Sequence, residues 1–132
     1  MKKKVLLGLV LTMAMLAICA CGKKYSSVAD FAKSDELQKE IAELKEQYAN
    51  AGLDIEVTGE DNKLIYTYTY TEVTNFDGLA EALEEGMESE KQTFIDLANT
   101  LKKEVKEENP IVAVKYIDAN GEEIYSVEYT AE

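Results

Sequence analysis

The apolar positions Leu37, Ile41, Leu44 and Tyr48 recur at spacings of four and three, which draws one stripe along a helix over residues 34 to 51. Ser34 stands at its N-cap, and Gly52 falls where a left-handed C-terminal cap belongs. Just before it, Ser27 and Asp30 read as a capping box for a short helical turn carrying Val28 and Phe31. The period then drops to two. Leu53, Ile55 and Val57 alternate with Asp54, Glu56 and Thr58, and after Gly59-Glu60-Asp61-Asn62 the run Leu64, Tyr66, Tyr68, Tyr70 alternates with Ile65, Thr67, Thr69, Thr71. Alternating β-branched and aromatic residues across a polar connection predict a hairpin.

A second helical stripe follows in Phe76, Leu79, Leu83, Met87, Phe94, Leu97, Leu101 and Val105, capped by Thr74 or Asn75 and stopped before Asn109-Pro110. A continuous helix over 76–108 would be about 50 Å long, against ~30 Å for a nine-residue strand. It must therefore overhang the sheet, packing on Val28 and Phe31, or bend near Gly86. The last segment is a second hairpin: Val112, Val114 and Tyr116, the turn Asp118-Ala119-Asn120-Gly121, then Tyr125, Val127 and Tyr129.

The halves match each other. Sliding the chain by 59 superposes Ile65-Tyr66-Thr67 on Ile124-Tyr125-Ser126, and sliding it by 57 superposes Leu37, Leu44 and Tyr48 on Phe94, Leu101 and Val105. The expected fold is α+β: an α-β-β unit present twice, its strands forming one four-stranded antiparallel sheet with two helices on the face of tyrosines and valines. The opposite face would show Asp54, Glu56, Thr67, Thr69, Lys115, Ser126 and Glu128 among Ile65, Ile117 and Ile124.

The N-terminus follows a different pattern. Lys2, Lys3 and Lys4 precede an uncharged apolar run from Val5 to Ala20, shorter than the roughly 20 residues of a membrane-spanning helix. A positive region followed by an apolar one is a secretory signal. It ends in Ile18-Cys19-Ala20-Cys21, where a small residue precedes a cysteine. This resembles the bacterial lipobox, with Cys19 unusual in its second position. Residues 1–20 are expected to be a removed signal peptide, cleaved between Ala20 and Cys21. Cys21 then becomes the diacylglyceryl, palmitate-bearing cysteine. A Cys-x-Cys disulfide is cramped, and no further Cys and no His exists to complete a zinc shell.

Residues 21–26 would form the lipidated cysteine and a tether, and 27–132 a single α+β domain. The tether reaches at most about 17 Å, so the domain sits close to the bilayer. Lys23 and Lys24 either face the headgroups or are ordinary solvated linker residues.

Removing Lys2, Lys3 and Lys4 from the 14 basic residues leaves 11 against 26 acids, a side-chain charge of −15. Such a surface repels nucleic acid and stays soluble beside a membrane. With no His and no Arg, triad chemistry, imidazole ligation and bidentate phosphate clamps are closed. Lipidation at Cys21 also removes the last free thiol.

Three clusters invite chemistry. Asp118-Ala119-Asn120-Gly121-Glu122-Glu123 opens like a calcium loop, but Tyr129 occupies the position of the closing carboxylate, so it reads as a hairpin turn. Glu81, Glu84, Glu85 and Glu88 make an acidic helix face, read as solvated surface in preference to a cation patch. The tyrosines read as core with hydroxyls at the sheet rim, and Tyr70 and Tyr129 mark a candidate rim groove.

The lipobox, Ser34-Asp35-Glu36-Leu37-Gln38, Leu64-Ile65-Tyr66-Thr67-Tyr68, Glu85-Gly86-Met87, the Phe94-to-Leu101 helix and Asn109-Pro110 resemble a family of small lipoproteins of Gram-positive anaerobes, grouped as a domain of unknown function. The resemblance implies attachment to the outer, extracytoplasmic leaflet of the cell membrane, and it carries over no functional residue apart from Cys21. The expectation is a non-catalytic lipoprotein that binds an envelope protein or component, needing no cofactor or metal. The alternative is a small-ligand or cation-binding accessory module of a transport or sensing system, with an envelope hydrolase behind both.

Overall fold

The computed structural model describes residues 25–74 and 77–131. The expected signal peptide (residues 1–20), Cys21, Lys23, Lys24, Asn75 and Phe76 lie outside the described residues. The described elements are, in order, α1 (Val28–Ala32), α2 (Asp35–Ala49), β1 (Leu53–Glu60), β2 (Lys63–Tyr70), α3 (Leu79–Ser89), α4 (Lys91–Glu104), β3 (Ile111–Ile117) and β4 (Glu123–Thr130).

Local signals place the first half. The hydroxyl of Ser27 accepts from the Asp30 N–H at 3.1 Å, and that of Ser34 from the Leu37 N–H at 3.4 Å, so each cap satisfies an otherwise orphaned helix donor. Gly52 takes φ 77° just past α2, and Leu37, Ile41, Leu44 and Tyr48 are buried as one stripe. The first hairpin turns through Asp61-Asn62, with Asp61 at φ 55°.

The long helix is neither continuous nor bent at Gly86, which lies inside α3. It breaks at Glu90, between α3 and α4. A rod of that length cannot pack along strands of seven or eight residues, so the chain turns and lays two shorter stripes on the sheet. The helical region also stops early. Val105 is extended and pairs with Tyr25 in an isolated bridge, and Val28 and Phe31 join the same core without the overhanging helix that was one of the two alternatives.

The sheet has the order β1-β2-β3-β4, and it corrects the antiparallel expectation. The β1–β2 and β3–β4 pairs are antiparallel, but β2 and β3 are parallel, Leu64 opposite Val112 and Tyr68 opposite Tyr116. The cause is the crossover. The helical segment traverses the sheet once, returning the chain to the end where β2 began, so β3 must run the same way. The sheet is mixed and open. Helix-strand-strand order does occur in both halves, as α2-β1-β2 and α4-β3-β4.

One face is covered. Leu53, Ile55, Val57, Leu64, Tyr66, Tyr68, Tyr70, Val112, Val114 and Tyr116 meet the helix stripes in a single core. Tyr116 stacks on Tyr68 at 5.0 Å between centroids and on Tyr70 at 6.1 Å, and its hydroxyl donates to the Met87 sulfur at 3.7 Å. The hydroxyls of Tyr66, Tyr68 and Tyr70 have no hydrogen-bond partner among the described residues.

Candidate functional site

The helices leave the second face of the sheet open, and that face is the candidate site. Asp54, Glu56 and Thr58 of β1 are exposed, while Ile65, Thr67 and Thr69 of β2 and Ala113, Lys115 and Ile117 of β3 are half-buried by their neighbours alone. Ile124 was expected here too. A register shift after Tyr116 pairs Ile117 with Glu123 and leaves Ile124 as the extra residue of a bulge, where it is only 9 % exposed.

A shallow groove of about 320 Å³ runs across this face, lined by Asp61, Lys63, Ile65, Ala113, Ser126 and Glu128 among others. Its floor is low because Ala113 carries only a methyl group between Ile65 and Glu128, its neighbours on either side in register. Lys63 reaches over β3 to Glu128 at 2.6 Å, and Lys115 lies 3.9 Å from Glu123. The Glu128 hydrogen bond and charge raise the Lys63 pKa above its ordinary value. Each cation already has a carboxylate, and Glu60 and Asp61 also line the groove, so it presents two ion pairs and further negative charge around a small apolar floor.

The rim tyrosines are placed elsewhere. Tyr70 is fully buried and Tyr129 is 7 % exposed, stacked on Phe94 at 5.3 Å. They are not neighbours. With β2 and β3 parallel and β4 antiparallel to β3, the C-terminal ends of β2 and β4 point opposite ways. In the expected antiparallel sheet those ends would lie at one rim. Burial raises the Tyr129 pKa to about 12.

Glu81, Glu84, Glu85 and Glu88 are exposed on α3. Asp118 forms the turn that its sequence context suggested. Its Oδ1 accepts from the N–H groups of Asn120 at 2.8 Å and Glu122 at 2.9 Å, while Gly121 adopts φ 84°. Asp118→Ala is therefore expected to cost about 2 kcal/mol, since two donors at a buried carboxylate lose their acceptor. Chemical denaturation would measure this, and Asp118→Asn should retain part of the stability.

Two residues escaped the sequence reading. Lys63 lies two positions before Ile65 and so shares its face, which strand alternation alone could have shown. Glu104 is 0 % exposed, and neither carboxylate oxygen has a hydrogen-bond partner among the described residues. Its only signal was its position three residues after Leu101 on an apolar stripe.

Among the described residues no group of three or more His, Cys, Asp or Glu side chains is placed to hold a metal ion, and no helix is long and apolar enough to cross a membrane. In comparison with known families, residues 28–129 match a domain of unknown function (DUF4854). No curated protein and no solved structure matches the chain.

Proposed function

We propose that this chain, which belongs to the DUF4854 family of domains of unknown function, is a lipid-anchored extracytoplasmic protein that uses its open sheet face to bind a protein or other component of the cell envelope. The observation that carries the binding role is that face. It is broad and uncovered, with Ile65, Ala113 and Ile117 half-buried among ion pairs and further acids, and a patch of that kind suits docking better than enclosure of a small molecule. The anchor rests on Ile18-Cys19-Ala20-Cys21 after the apolar leader.

The role is non-catalytic on this reading. The second reading, a small-ligand or cation module, is favoured by the groove at Lys63, Ser126 and Glu128, whose mixed charges would suit a zwitterion. We also read the two α-β-β segments as copies of one unit, supported by the matching inward positions of Tyr66 with Tyr125 and Tyr70 with Tyr129 at one offset.

A photo-crosslinking residue at Thr67, on the open face, is expected to trap a defined adduct on intact cells, and one at Glu43, exposed on α2, to trap none. Equal capture from both positions would refute the docking face. Cys21→Ser is expected to abolish acylation and to release the protein or leave it unprocessed.

A further inference from the structure

We propose that the end of the domain built around the Tyr25–Val105 bridge is its membrane-facing surface, with Lys102, Lys103 and Lys106 contacting anionic phospholipid headgroups. This rests on the reading of Cys21 as the lipid anchor.

The chain is fixed to the domain almost as soon as it leaves that anchor. The Tyr25 N–H donates to the Glu104 carbonyl at 2.9 Å, and its own carbonyl accepts from the Lys106 N–H at 3.1 Å. The Tyr25 ring meets Phe31 edge-on at 5.3 Å, and the Val28 N–H donates to the Glu107 carboxylate at 2.6 Å. Tyr25 is four residues from Cys21, a reach of about 14 Å, so this end of the molecule cannot leave the surface.

The bridge also brings cations there. Lys102 and Lys103 end α4, Lys106 follows the bridged Val105, and all three are exposed. No ion pair among the described residues engages them. Of the nearby acids, Glu104 is buried and Glu107 is turned to the start of α1, leaving exposed Glu108, Asp30 and, in the β1–β2 turn that Asn62 ties to Asn109, Glu60 and Asp61.

The rest of the chain is strongly acidic. Held within two Debye lengths of an anionic bilayer, it is repelled, and the lysine-bearing end is the one that can approach. Each lysine near such a surface favours contact about fivefold, the three together roughly 100-fold.

The test uses the lipidated full-length product in vesicles of phosphatidylglycerol and phosphatidylcholine carrying a headgroup spin-label quencher. A fluorophore is placed at Glu108→Cys near the bridge, or at Asn120→Cys at the far end of β3. Quenching is expected at 108 and not at 120. The tether alone leaves some preference for 108, so the lysines are read from its size: it should be several-fold weaker in K102E/K103E/K106E, in K102Q/K103Q/K106Q, and on phosphatidylcholine alone. Equal quenching in the parent, or a preference undiminished in either triple variant with native circular dichroism, overturns the proposal. The mass of the N-terminal peptide separates the two ideas. A missing acyl group refutes the anchor and this surface with it, whereas an acylated protein without orientation refutes the surface alone.

Discussion

Raising the pH above about 10 is expected to unfold the protein cooperatively, with a midpoint near pH 11 to 12. Burial raises the pKa values of Tyr66, Tyr68, Tyr70 and Tyr116 above the usual tyrosine value, and that of Tyr129 to about 12. In the unfolded chain the same hydroxyls ionise near pH 10. Between those limits the folded state holds more protons, so stability is fully present below pH 10 and falls as the pH rises.

At about pH 11 each buried tyrosine lowers stability by ~1.4 kcal/mol, and the four deepest together by ~6 kcal/mol. That equals much of the 5–15 kcal/mol that typically holds a domain folded. Tyrosinate absorbance and far-ultraviolet circular dichroism should therefore change in one shared step, and Tyr68→Phe should move that step to higher pH. Tyrosines that titrate near pH 10 with the dichroism intact would contradict the buried stack.

Gly59→Ala is expected to lower stability by about 3 kcal/mol, at the upper end for overpacking a tight core. Gly59 is on the helix-covered side of β1, where the backbone of α1 rests on the strand. A Cβ there would lie 2.6 Å from the Ala29 Cα and 3.0 Å from the Val28 carbonyl oxygen. Both are backbone atoms, so no rotamer change relieves the clash and α1 must lift. Because α1 holds Phe31 against Tyr25, the variant should also loosen the N-terminal bridge, read as faster amide exchange at Tyr25 and Lys106. A urea midpoint equal to the parent's would show that α1 is not seated on Gly59. A substitution on the exposed side of the strand, Thr58→Ala, should change stability by only a few tenths of a kcal/mol.

Gly59 had read only as part of a polar connection. Its neighbours in sequence give no hint that a helix from residue 28 onward crosses it, because that contact joins segments about 30 positions apart. Glu104 is similar. Its place on the apolar stripe was visible, yet a glutamate at the end of an amphipathic helix ordinarily turns to solvent. Tyr70 and Tyr129 were assigned to a rim from the ends of their strands, and strand direction decided otherwise.

Alternation and helical spacing act over a few residues, and they determined by themselves the helical or extended character of each segment up to its ends, where Ser27 and Ser34 cap, where Asp61-Asn62 and Asn120-Gly121 turn, and, outside the bulge at Ile124, which side chains share a face. The parallel pairing of β2 with β3, the break at Glu90, the burial of Ile124 in a bulge and the seating of α1 on Gly59 were decided only in three dimensions. Each depends on the length of a crossover measured against a sheet, or on atoms brought together from distant parts of the chain, and no local periodicity records either.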